Sequence, residues 1–407
     1  SIMQFFIDIV FAECRVIMTE KVNISSEDAD LNVISKPEAF LNALAGQLNI
    51  ISKDCQTVEI PDQEFEALGF QFIMTDIKFA NADLSHVATS SYRNMMTFDL
   101  NPATMRIVFQ YTFQQTIYPY ASGKGSGSAD LILEIQFSTS IAMSDICPFH
   151  FKMSDFSSYM EMQHFKLDLP NASPFIQAMV SAFTSVFKHL FNEVMTYYVG
   201  QLGEIMNDNI GRGKSITRIN DSFSTDSRFI EYKLNDSMIL QTTGQLCEYK
   251  NDFCYRWTER REIAKQPTKM FNKAVQFYIS QNAIQSMLDH TKYMNLTGDS
   301  LNVEKIVNTG ILLNVKSSEF DAQILCELVG KVTTEKSGDN YTQPTLVMKQ
   351  VIKTTKSFDI LSYFEKMNEV FKICAHSVDT FGFIDELNQV VSYQSPNWVI
   401  LGMDQLQ

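Results

Sequence analysis

The chain has few cysteines, an excess of acidic over basic residues, and no long hydrophobic run. Seven cysteines without a C-x-x-C pair exclude a disulfide-dense scaffold and give no zinc or thioredoxin-like pattern. The net charge of −14 argues against nucleic acid and strongly anionic membranes as partners, because both require a cationic surface. The apolar residues 3–18 are interrupted by Asp8, Glu13 and Arg15, so we expect no segment that spans a bilayer.

Catalytic motifs are missing as well. The six histidines are scattered, and neither an H-E-x-x-H motif nor a G-x-S-x-G elbow occurs. Residues 213–215 resemble the end of a phosphate-binding loop, but Asp208 replaces the required glycine and a helix precedes the segment. The glycine-rich residues 123–128 lie between two predicted strands and indicate a flexible hairpin loop. We therefore expect that the protein is not an enzyme and that it needs no metal or other cofactor.

A long apolar stripe runs through residues 173–210. Its members recur mostly three and four residues apart, which predicts one helix with a single apolar face. They are Ile176, Met179, Phe183, Val186, Phe187, Leu190, Val194, Tyr198, Leu202 and Ile205. Ser173 suits the capping position and Pro174 the first helical position. Because such a stripe requires an apolar partner, we expect the helix to lie along a curved sheet formed by the strands before it.

Alternating apolar residues predict those strands. Residues 107–113 and 131–137 alternate apolar and polar side chains, which predicts an antiparallel meander with one apolar face. Residues 70–79 alternate in the same way with a one-residue slip before Ile77, which indicates a β-bulge. A first helix is predicted from Pro37 to about Ile51.

The order of helix, strands and long helix recurs in the second half of the chain. A strand at residues 275–279 leads into a helix capped by Ser280, further strands follow, and a second long helix starts near Ser357. This order predicts an α+β protein with a structural repeat. The predicted divisions are an N-terminal extension (1–32), an N-terminal domain (33–214), a linker and central sheet (215–270) and a C-terminal domain (271–407).

Four segments, in this order and spacing, resemble a known family. They are residues 33–48, residues 147–151 with the two strands and helix that follow, residues 270–288, and residues 398–404. The chain from about Val33 to Asp404 resembles the tubular lipid-binding superfamily. That superfamily includes bactericidal/permeability-increasing protein, lipopolysaccharide-binding protein, and the cholesteryl ester and phospholipid transfer proteins.

The resemblance implies an elongated, boomerang-shaped two-domain tubular fold. In each domain a long helix would lie against a curved antiparallel sheet, with a central β-sheet joining the domains and acyl chains held between helix and sheet. Two features depart from the family. No cysteine occurs in residues 173–210 to bond the first long helix to a strand, although Cys147 could be the strand member. The acidic charge also disfavours binding bacterial lipopolysaccharide by charge.

The resemblance implies a lipid-binding or lipid-transfer protein that holds acyl lipids, with phospholipid expected, in apolar clefts. The alternative is a structural or assembly component that keeps the fold, and a resident lipid, but acts through its acidic surface. Expected partners are an acyl lipid, a membrane in transient contact, and other proteins if the chain belongs to an assembly. Nucleic acid is not expected.

The candidate lipid-binding residues form two groups, and the hypothesis concerns each group as a whole because core packing explains any single member equally well. In the first half they are Phe70, Phe72, Phe109, Phe113, Leu133, Ile135, Phe137, Met179, Phe183, Phe187 and Leu190. In the second half they are Phe277, Ile284, Leu288, Ile324, Ile360, Phe364, Met367 and Phe371.

Two sequence features favour a secreted protein or one of the endomembrane lumen. Cys247 and Cys254 are close enough in sequence to close a small disulfide loop. N-x-S/T sequons, which permit glycosylation in a secretory compartment, begin at Asn23, Asn171, Asn220, Asn235, Asn295 and Asn340.

Overall fold

The structure is a computed structural model. For some of the residues it describes, residues 174–182 among them, only the backbone is described. The described residues are 18–19, 24–42, 45, 59–67, 69–118, 120–144, 151–170, 174–212, 216–218, 223–226, 228–234, 236–250, 253–255, 261–267, 272–290, 300–334, 340–357, 359–378 and 387–405.

The described residues form 22 strands and three α-helices, together with a 3₁₀ helix at Ser26–Asp28 and a helical segment at residues 37–42. The strands are β1 (Met18–Thr19), β2 (Leu31–Ser35), β3 (Glu59–Ile60), β4 (Gln63–Ala67), β5 (Phe70–Asp83), β6 (Val87–Tyr92), β7 (Met95–Gln115), β8 (Ser122–Met143), β9 (Phe151–Asp168), β10 (Ile216–Arg218), β11 (Phe223–Asp226), β12 (Phe229–Leu234), β13 (Met238–Thr242), β14 (Gln245–Lys250), β15 (Phe253–Tyr255), β16 (Val275–Ser280), β17 (Ser300–Val307), β18 (Gly310–Lys316), β19 (Asp321–Thr334), β20 (Asn340–Thr354), β21 (Leu387–Ser395) and β22 (Trp398–Gln405). The helices are α1 (Pro174–Arg212), α2 (Gln281–Asp289) and α3 (Ile360–Val378).

The fold is mostly antiparallel sheet with few helices, which confirms the α+β prediction in this coarse form. The strand pairs whose registers are described are antiparallel, apart from the short parallel pair of β1 and β15. The predicted long helix is confirmed as α1, and the predicted second long helix as α3. Of the helix predicted from Pro37 to about Ile51, residues 37–42 and 45 are helical, and the others lie outside the described residues.

By its internal contacts the chain divides into two units. The first unit comprises Ser1–Ala12, Leu44–Ile141 and Met153–Ile210, and the second comprises Glu13–Ala43, Ala142–Lys152 and Gly211–Gln407. The predicted domain boundaries after residues 32, 214 and 270 stay predictions. Strand β2 belongs to the second unit because it pairs with β13 on one side and with β16 on the other.

The first unit contains a seven-stranded sheet of long strands. Its order is β3-β5-β7-β8-β9, with β4 also paired to β5 and β6 to β7. Strands β7 and β8 have 21 and 22 residues, well beyond the usual length of about 5–6, and strands of this length must twist and coil. The sheet is curled into a half-barrel. Buried and exposed residues alternate along β5, β7 and β8, so one face is apolar.

Register shifts interrupt this sheet at defined positions. The pairing of β5 with β7 shifts between Thr75 and Lys78, where Asp76 adopts a φ of 51°. Met74 and Ile77 on either side of this shift are both buried, as the one-residue slip in the sequence predicts. The predicted β-bulge is therefore confirmed.

The prediction of a flexible loop at residues 123–128 is wrong, because these residues begin β8. Gly123, Gly125 and Gly127 stand opposite Phe113, Tyr111 and Phe109 of β7, respectively. The aromatic rings lie over the glycines, and this packing holds a segment of low strand propensity in the sheet.

The second unit contains three sheets. Their orders are β1-β15-β14-β11-β10, β12-β13-β2-β16-β22-β21 and β17-β18-β19-β20. Every residue of β16 is buried, and β16 pairs with β2 and β22 on its two sides. The strands β10 to β15 lie within residues 215–270, and the prediction of a linker and central sheet there stays a prediction.

Buried polar contacts join the start of β2 to α2. The Ser280 hydroxyl donates to Asp30 Oδ1 at 2.6 Å and accepts from the Ala283 amide at 3.1 Å, which confirms Ser280 as the cap of α2. Gln245 also donates to the Asp30 carboxylate. A buried carboxylate that accepts several hydrogen bonds in this way fixes the relative positions of three segments that are distant in sequence.

Candidate functional site

The buried side of α1 follows a strict four-residue spacing. Its buried residues with described side chains are Phe183, Phe187, Phe191, Met195, Val199 and Gly203. An α-helix has 3.6 residues per turn, so a four-residue spacing advances by roughly 40° at each step and by roughly 200° over the whole set. The buried stripe therefore winds around α1, and a coiled sheet is the partner that can follow it.

Aromatic rings from four strands of the sheet meet this stripe. The Phe183 ring lies 4.8 Å from Phe72 and 5.7 Å from Phe70, in edge-to-face geometry. Phe187 lies 5.3 Å from Phe65, 5.8 Å from Phe72 and 6.0 Å from Phe109. We call this set the α1 aromatic face; it comprises Phe65, Phe70, Phe72, Phe109, Phe113, Phe165, Phe183, Phe187 and Phe191.

Beyond the α1 aromatic face, the same helix continues along the sheet with smaller residues. A Cβ atom at Gly203 would lie 2.6 Å from the ring of Phe156, so the glycine permits close approach of the helix to β9. Phe156 stacks on Phe137, and Phe137 stacks on Phe98. Asn207 accepts from the Met153 amide at 2.6 Å and donates to the Met153 carbonyl at 2.9 Å. The apolar contact between helix and sheet thus extends over roughly 36 Å, at 1.5 Å per residue from Phe183 to Asn207.

The side chains of this contact are electrically neutral. Burial raises the pKa of Tyr111, and burial together with the neighbouring Tyr197 raises the pKa of Tyr198. Both phenols therefore stay protonated at physiological pH. On the outer side of the helix, the exposed His189 lies 3.2 Å from Glu193. Among the described side chains, the inner side of α1 offers hydrocarbon and aromatic surface.

The second unit has a shorter helix with a similar apolar side. In α3, Tyr363, Phe364, Met367, Val370 and Phe371 are buried at spacings of three and four. The helix packs on β20 and on α2. Asn368 accepts from the Leu346 amide at 2.7 Å and donates to the Leu346 carbonyl at 3.0 Å, as Asn207 does with Met153 in the first unit.

Most of the predicted binding residues are buried. In the first unit these are Phe70, Phe72, Phe109, Phe113, Leu133, Ile135, Phe137, Phe183 and Phe187. In the second unit they are Phe277, Ile284, Leu288, Ile324, Phe364, Met367 and Phe371. Leu190 and Ile360 are partly exposed, and the Met179 side chain lies outside the description. The structure brings Phe70, Phe72, Phe109, Phe113, Phe183 and Phe187 into one cluster of contacting rings, whereas Phe137 belongs to the farther Phe156 cluster.

Sequence reasoning missed three phenylalanines of the α1 aromatic face. Phe65 lies between Glu64 and Glu66, and this alternation would have predicted a short strand with Phe65 inward. Phe191 follows Phe187 by four residues, but Leu190 was chosen in its place because it continues a mixed three-and-four pattern. Phe165 lies in β9, where it alternates with Lys166 and precedes Leu167 and Leu169 at two-residue spacing, and this alternation would have predicted an inward Phe165.

Cysteine and glycosylation predictions are only partly covered by the described residues. Cys247 is disulfide-bonded, and its pairing with Cys254 stays a prediction because the Cys254 side chain lies outside the description. Burial raises the pKa of the free Cys326 thiol to about 12. Among the six sequons, only the asparagine at the start of β20, Asn340, lies within the described residues.

The described residues contain neither a candidate metal site nor a candidate membrane-spanning helix. No group of three or more His, Cys, Asp and Glu side chains among them is arranged to hold a metal ion. None of the described helices combines the length and apolar character needed to cross a membrane.

A long helix that lies on a coiled antiparallel sheet, with phenylalanines lining the contact, defines a fold of the bactericidal/permeability-increasing protein type. The structure aligns with the crystal structure of lipopolysaccharide binding protein over 93% of this chain and 99% of that chain, at 12% sequence identity and a TM-score of 0.51. The resemblance drawn from the sequence is thus confirmed as a likeness of fold.

Two further structures show weaker similarity. Takeout 1 of Epiphyas postvittana aligns with 48% of this chain and 96% of its own, at 13% identity and a TM-score of 0.31. P47 of Clostridium botulinum E1 aligns with 93% of this chain and 99% of its own, at 11% identity and a TM-score of 0.23. TM-scores of this size do not establish a shared fold. No protein-family model matches the sequence, and no curated protein sequence matches it either.

Proposed function

We propose that this protein binds an acyl lipid between α1 and the seven-stranded sheet of the first unit. The observation that carries the proposal is the α1 aromatic face, a continuous lining of phenylalanines contributed by the helix and four strands. The fold of this protein resembles that of lipopolysaccharide binding protein, and lipopolysaccharide is itself an acylated molecule. The proposed role is to hold or transfer lipid, without catalysis.

Elementary energetics supports such a site. Burying an acyl chain of about sixteen carbons at roughly 0.8 kcal/mol per methylene contributes on the order of 12 kcal/mol before ordering costs are subtracted. Ring contacts contribute only about 0.5–1.5 kcal/mol per pair beyond their buried area, so an acyl chain can replace several of them with a net gain. A lining of hydrocarbon alone is therefore sufficient for tight binding.

The finer features of the function are also proposals. Phospholipid is the proposed ligand, because its acyl chains match the apolar lining while its headgroup can remain in water. The apolar side of α3 in the second unit is proposed as a second acyl-binding face, so that the two units correspond to two lipid-binding domains. A secreted or lumenal location is proposed on the same resemblance.

The test is native mass spectrometry of the full chain, followed by organic extraction and identification of the lipid. Bound phospholipid at one or two molecules per chain is the expected result. A protein that carries no lipid and takes up none from added phosphatidylcholine would contradict the proposal. Recovery of that lipid-free protein in a larger complex would instead favour the assembly role.

A phosphatidylcholine with a photoactivatable acyl chain locates the ligand. Crosslinks are expected in peptides of α1, β5 and β7, and retained lipid with crosslinks elsewhere would contradict the proposed site.

Phe187→Arg is expected to abolish lipid retention, because it places a charge among buried rings. Tyr197→Arg, on the exposed side of the same helix, is the matched control and should retain lipid. Circular dichroism checks that both variants are folded. If Phe187→Arg does not fold, the crosslink map of the parent chain remains as the test of the site.

A further inference from the structure

The turn between β7 and β8 exposes three large apolar side chains within four residues. Ile117, Tyr118 and Tyr120 are 65%, 80% and 63% exposed. We call residues 116–118 and 120–121 the β7–β8 tip. Single exposed apolar residues are common on protein surfaces, but three on one turn form a patch, and patches of this kind mark interaction sites.

Hydrogen bonds hold the β7–β8 tip in this conformation. The Thr116 amide and hydroxyl both donate to the Gly69 carbonyl, at 2.8 Å and 3.0 Å. The Tyr120 amide donates to the Ile117 carbonyl at 3.1 Å and closes the turn. The Tyr118 and Tyr120 rings pack edge to face, 6.1 Å apart. The backbone therefore presents these side chains to solvent in a defined arrangement, with little ordering left to occur on binding.

The charges at and around the β7–β8 tip favour a neutral partner over an anionic one. No Lys, Arg, Asp or Glu occurs between Arg106 and Lys124, so the tip itself is uncharged. The exposed Glu66 lies at its base, where a carboxylate oxygen is 3.5 Å from the Thr116 hydroxyl, and the chain as a whole carries −14. These negative charges disfavour an anionic surface. Tyrosine rings, apolar with one polar end, are suited to the interface between water and the acyl region of a neutral bilayer.

The tip is continuous with the α1 aromatic face. Phe113 of β7 lies three residues before Thr116, where the tip begins, and its ring lies 6.0 Å from Phe70, which in turn contacts Phe183 of α1. At roughly 3.3 Å per residue, the tip begins about 10 Å along the chain from Phe113. A surface that contacts the tip is therefore close to one end of the proposed lipid site.

We propose that the β7–β8 tip is a docking element that inserts Ile117, Tyr118 and Tyr120 into the interface of a zwitterionic phospholipid surface. The docking element would bring the lipid site to its source of lipid, and in this respect the proposal rests on the proposed lipid-binding function. The turn between β6 and β7, which also exposes a tyrosine, differs, because the Arg93 guanidinium lies 5.2 Å from the ring centre of Tyr92 and adds charge there.

The experiment is flotation of the full chain with phosphatidylcholine vesicles. Removing one of the three side chains is expected to weaken vesicle binding roughly ten-fold, which corresponds to the loss of one buried apolar side chain. The double variant Tyr118→Ser with Tyr120→Ser should therefore lose nearly all vesicle binding. Tyr92→Ser and Tyr159→Ser remove exposed tyrosines elsewhere on the first unit and should leave binding unchanged. Tyr118→Trp should show a blue shift of its fluorescence with vesicles, measured against the parent chain with its two tryptophans.

Three results would overturn the docking proposal. The first is an equal loss of binding in Tyr92→Ser, which would assign the contact to another surface. The second is unchanged binding in the double variant, or binding only to vesicles that contain phosphatidylserine. The third is a change in oligomeric state in the double variant without a change in vesicle binding, which would make the tip a contact between copies of this chain.

Native mass spectrometry of the same proteins separates this inference from the proposed function. If the parent chain holds lipid but does not float with vesicles, docking fails and the lipid site stands. If the parent chain floats through its tip but neither holds nor takes up lipid, the lipid site fails and docking stands.

Discussion

At the scale of single residues, glycines determine how closely the aromatic rings of the first unit pack. A Cβ atom at Gly127 would lie 2.6 Å from Leu169 Cδ2 and 2.7 Å from the Phe109 ring. The Phe109 ring lies 6.0 Å from both Phe187 and Phe191, so a shift of this ring away from an added Cβ atom would disturb those two contacts. By contrast, a Cβ atom at Gly200 of α1 meets nothing within 4 Å.

Replacing these two glycines should therefore have opposite effects. Gly127→Ala is expected to lower the free energy of unfolding by about 1–3 kcal/mol through overpacking. Gly200→Ala is expected to raise it by about 1 kcal/mol, because alanine favours the helix and space is free. Urea unfolding followed by circular dichroism measures both. A more stable Gly127→Ala protein would show that the Phe109 ring moves freely and that the face is loosely packed.

At the scale of elements, each long helix holds the edge strand of a sheet through one asparagine. Asn207 of α1 bonds the backbone of Met153 in β9, and Asn368 of α3 bonds that of Leu346 in β20. Both strands lie at the end of their sheets, where backbone groups lack a neighbouring strand. Each side-chain amide donates one hydrogen bond and accepts one, as a neighbouring strand would. The two halves of the chain therefore share a contact as well as an order of elements.

Asn207→Ala is expected to lower the free energy of unfolding by about 1–3 kcal/mol, because it removes the partners of a backbone amide and carbonyl. Asn192→Ala on the same helix is the matched control. Within the described part of the chain the Asn192 side chain makes no hydrogen bond, so this substitution should have a smaller effect. Hydrogen exchange at the Met153 amide should accelerate in Asn207→Ala alone. Unchanged exchange there would mean that the amide has another acceptor.

At the scale of the whole molecule, the chain divides into two units, and each contains buried hydrophobic residues. Both tryptophans, Trp257 and Trp398, belong to the second unit, and Trp398 is buried between strands and the segment 261–267, where its indole donates to the Ala264 carbonyl at 2.8 Å. Tryptophan fluorescence therefore reports on the second unit, whereas far-ultraviolet circular dichroism reports on both.

A destabilising change in the first unit should separate these two signals. Phe187→Ala removes a buried ring that contacts three strands and is expected to cost about 3–5 kcal/mol in the first unit. In urea, the dichroism transition should move to lower concentration while the fluorescence transition stays in place, because domains with separate cores can unfold separately. Coincident transitions would show that the two units unfold as one.

Local patterns account for what could be predicted at the candidate site. The four-residue recurrence of Phe183 and Phe187 and the alternation through Phe109 and Phe113 are visible in the sequence, and both pairs belong to the α1 aromatic face. The alternation of Phe165, Leu167 and Leu169 indicates that Phe165 faces inward, but its contact with Phe191 depends on where β9 crosses α1. The sequence predicts a loop at residues 123–128 because glycine has low strand propensity. These residues form a strand because their glycines pack against the aromatic rings of the neighbouring strand β7.

The sequence by itself determined the long helix, the alternating strands, the cap at Ser280 and the acidic charge, because periodicity, capping and composition are local properties of the chain. Only the tertiary structure decided which segments form each unit. Strand β2 pairs with β16, more than two hundred residues away, and Asp30 accepts hydrogen bonds from Gln245 and Ser280. Such pairings depend on backbone and buried polar groups that every strand or polar segment carries, so no local pattern specifies them.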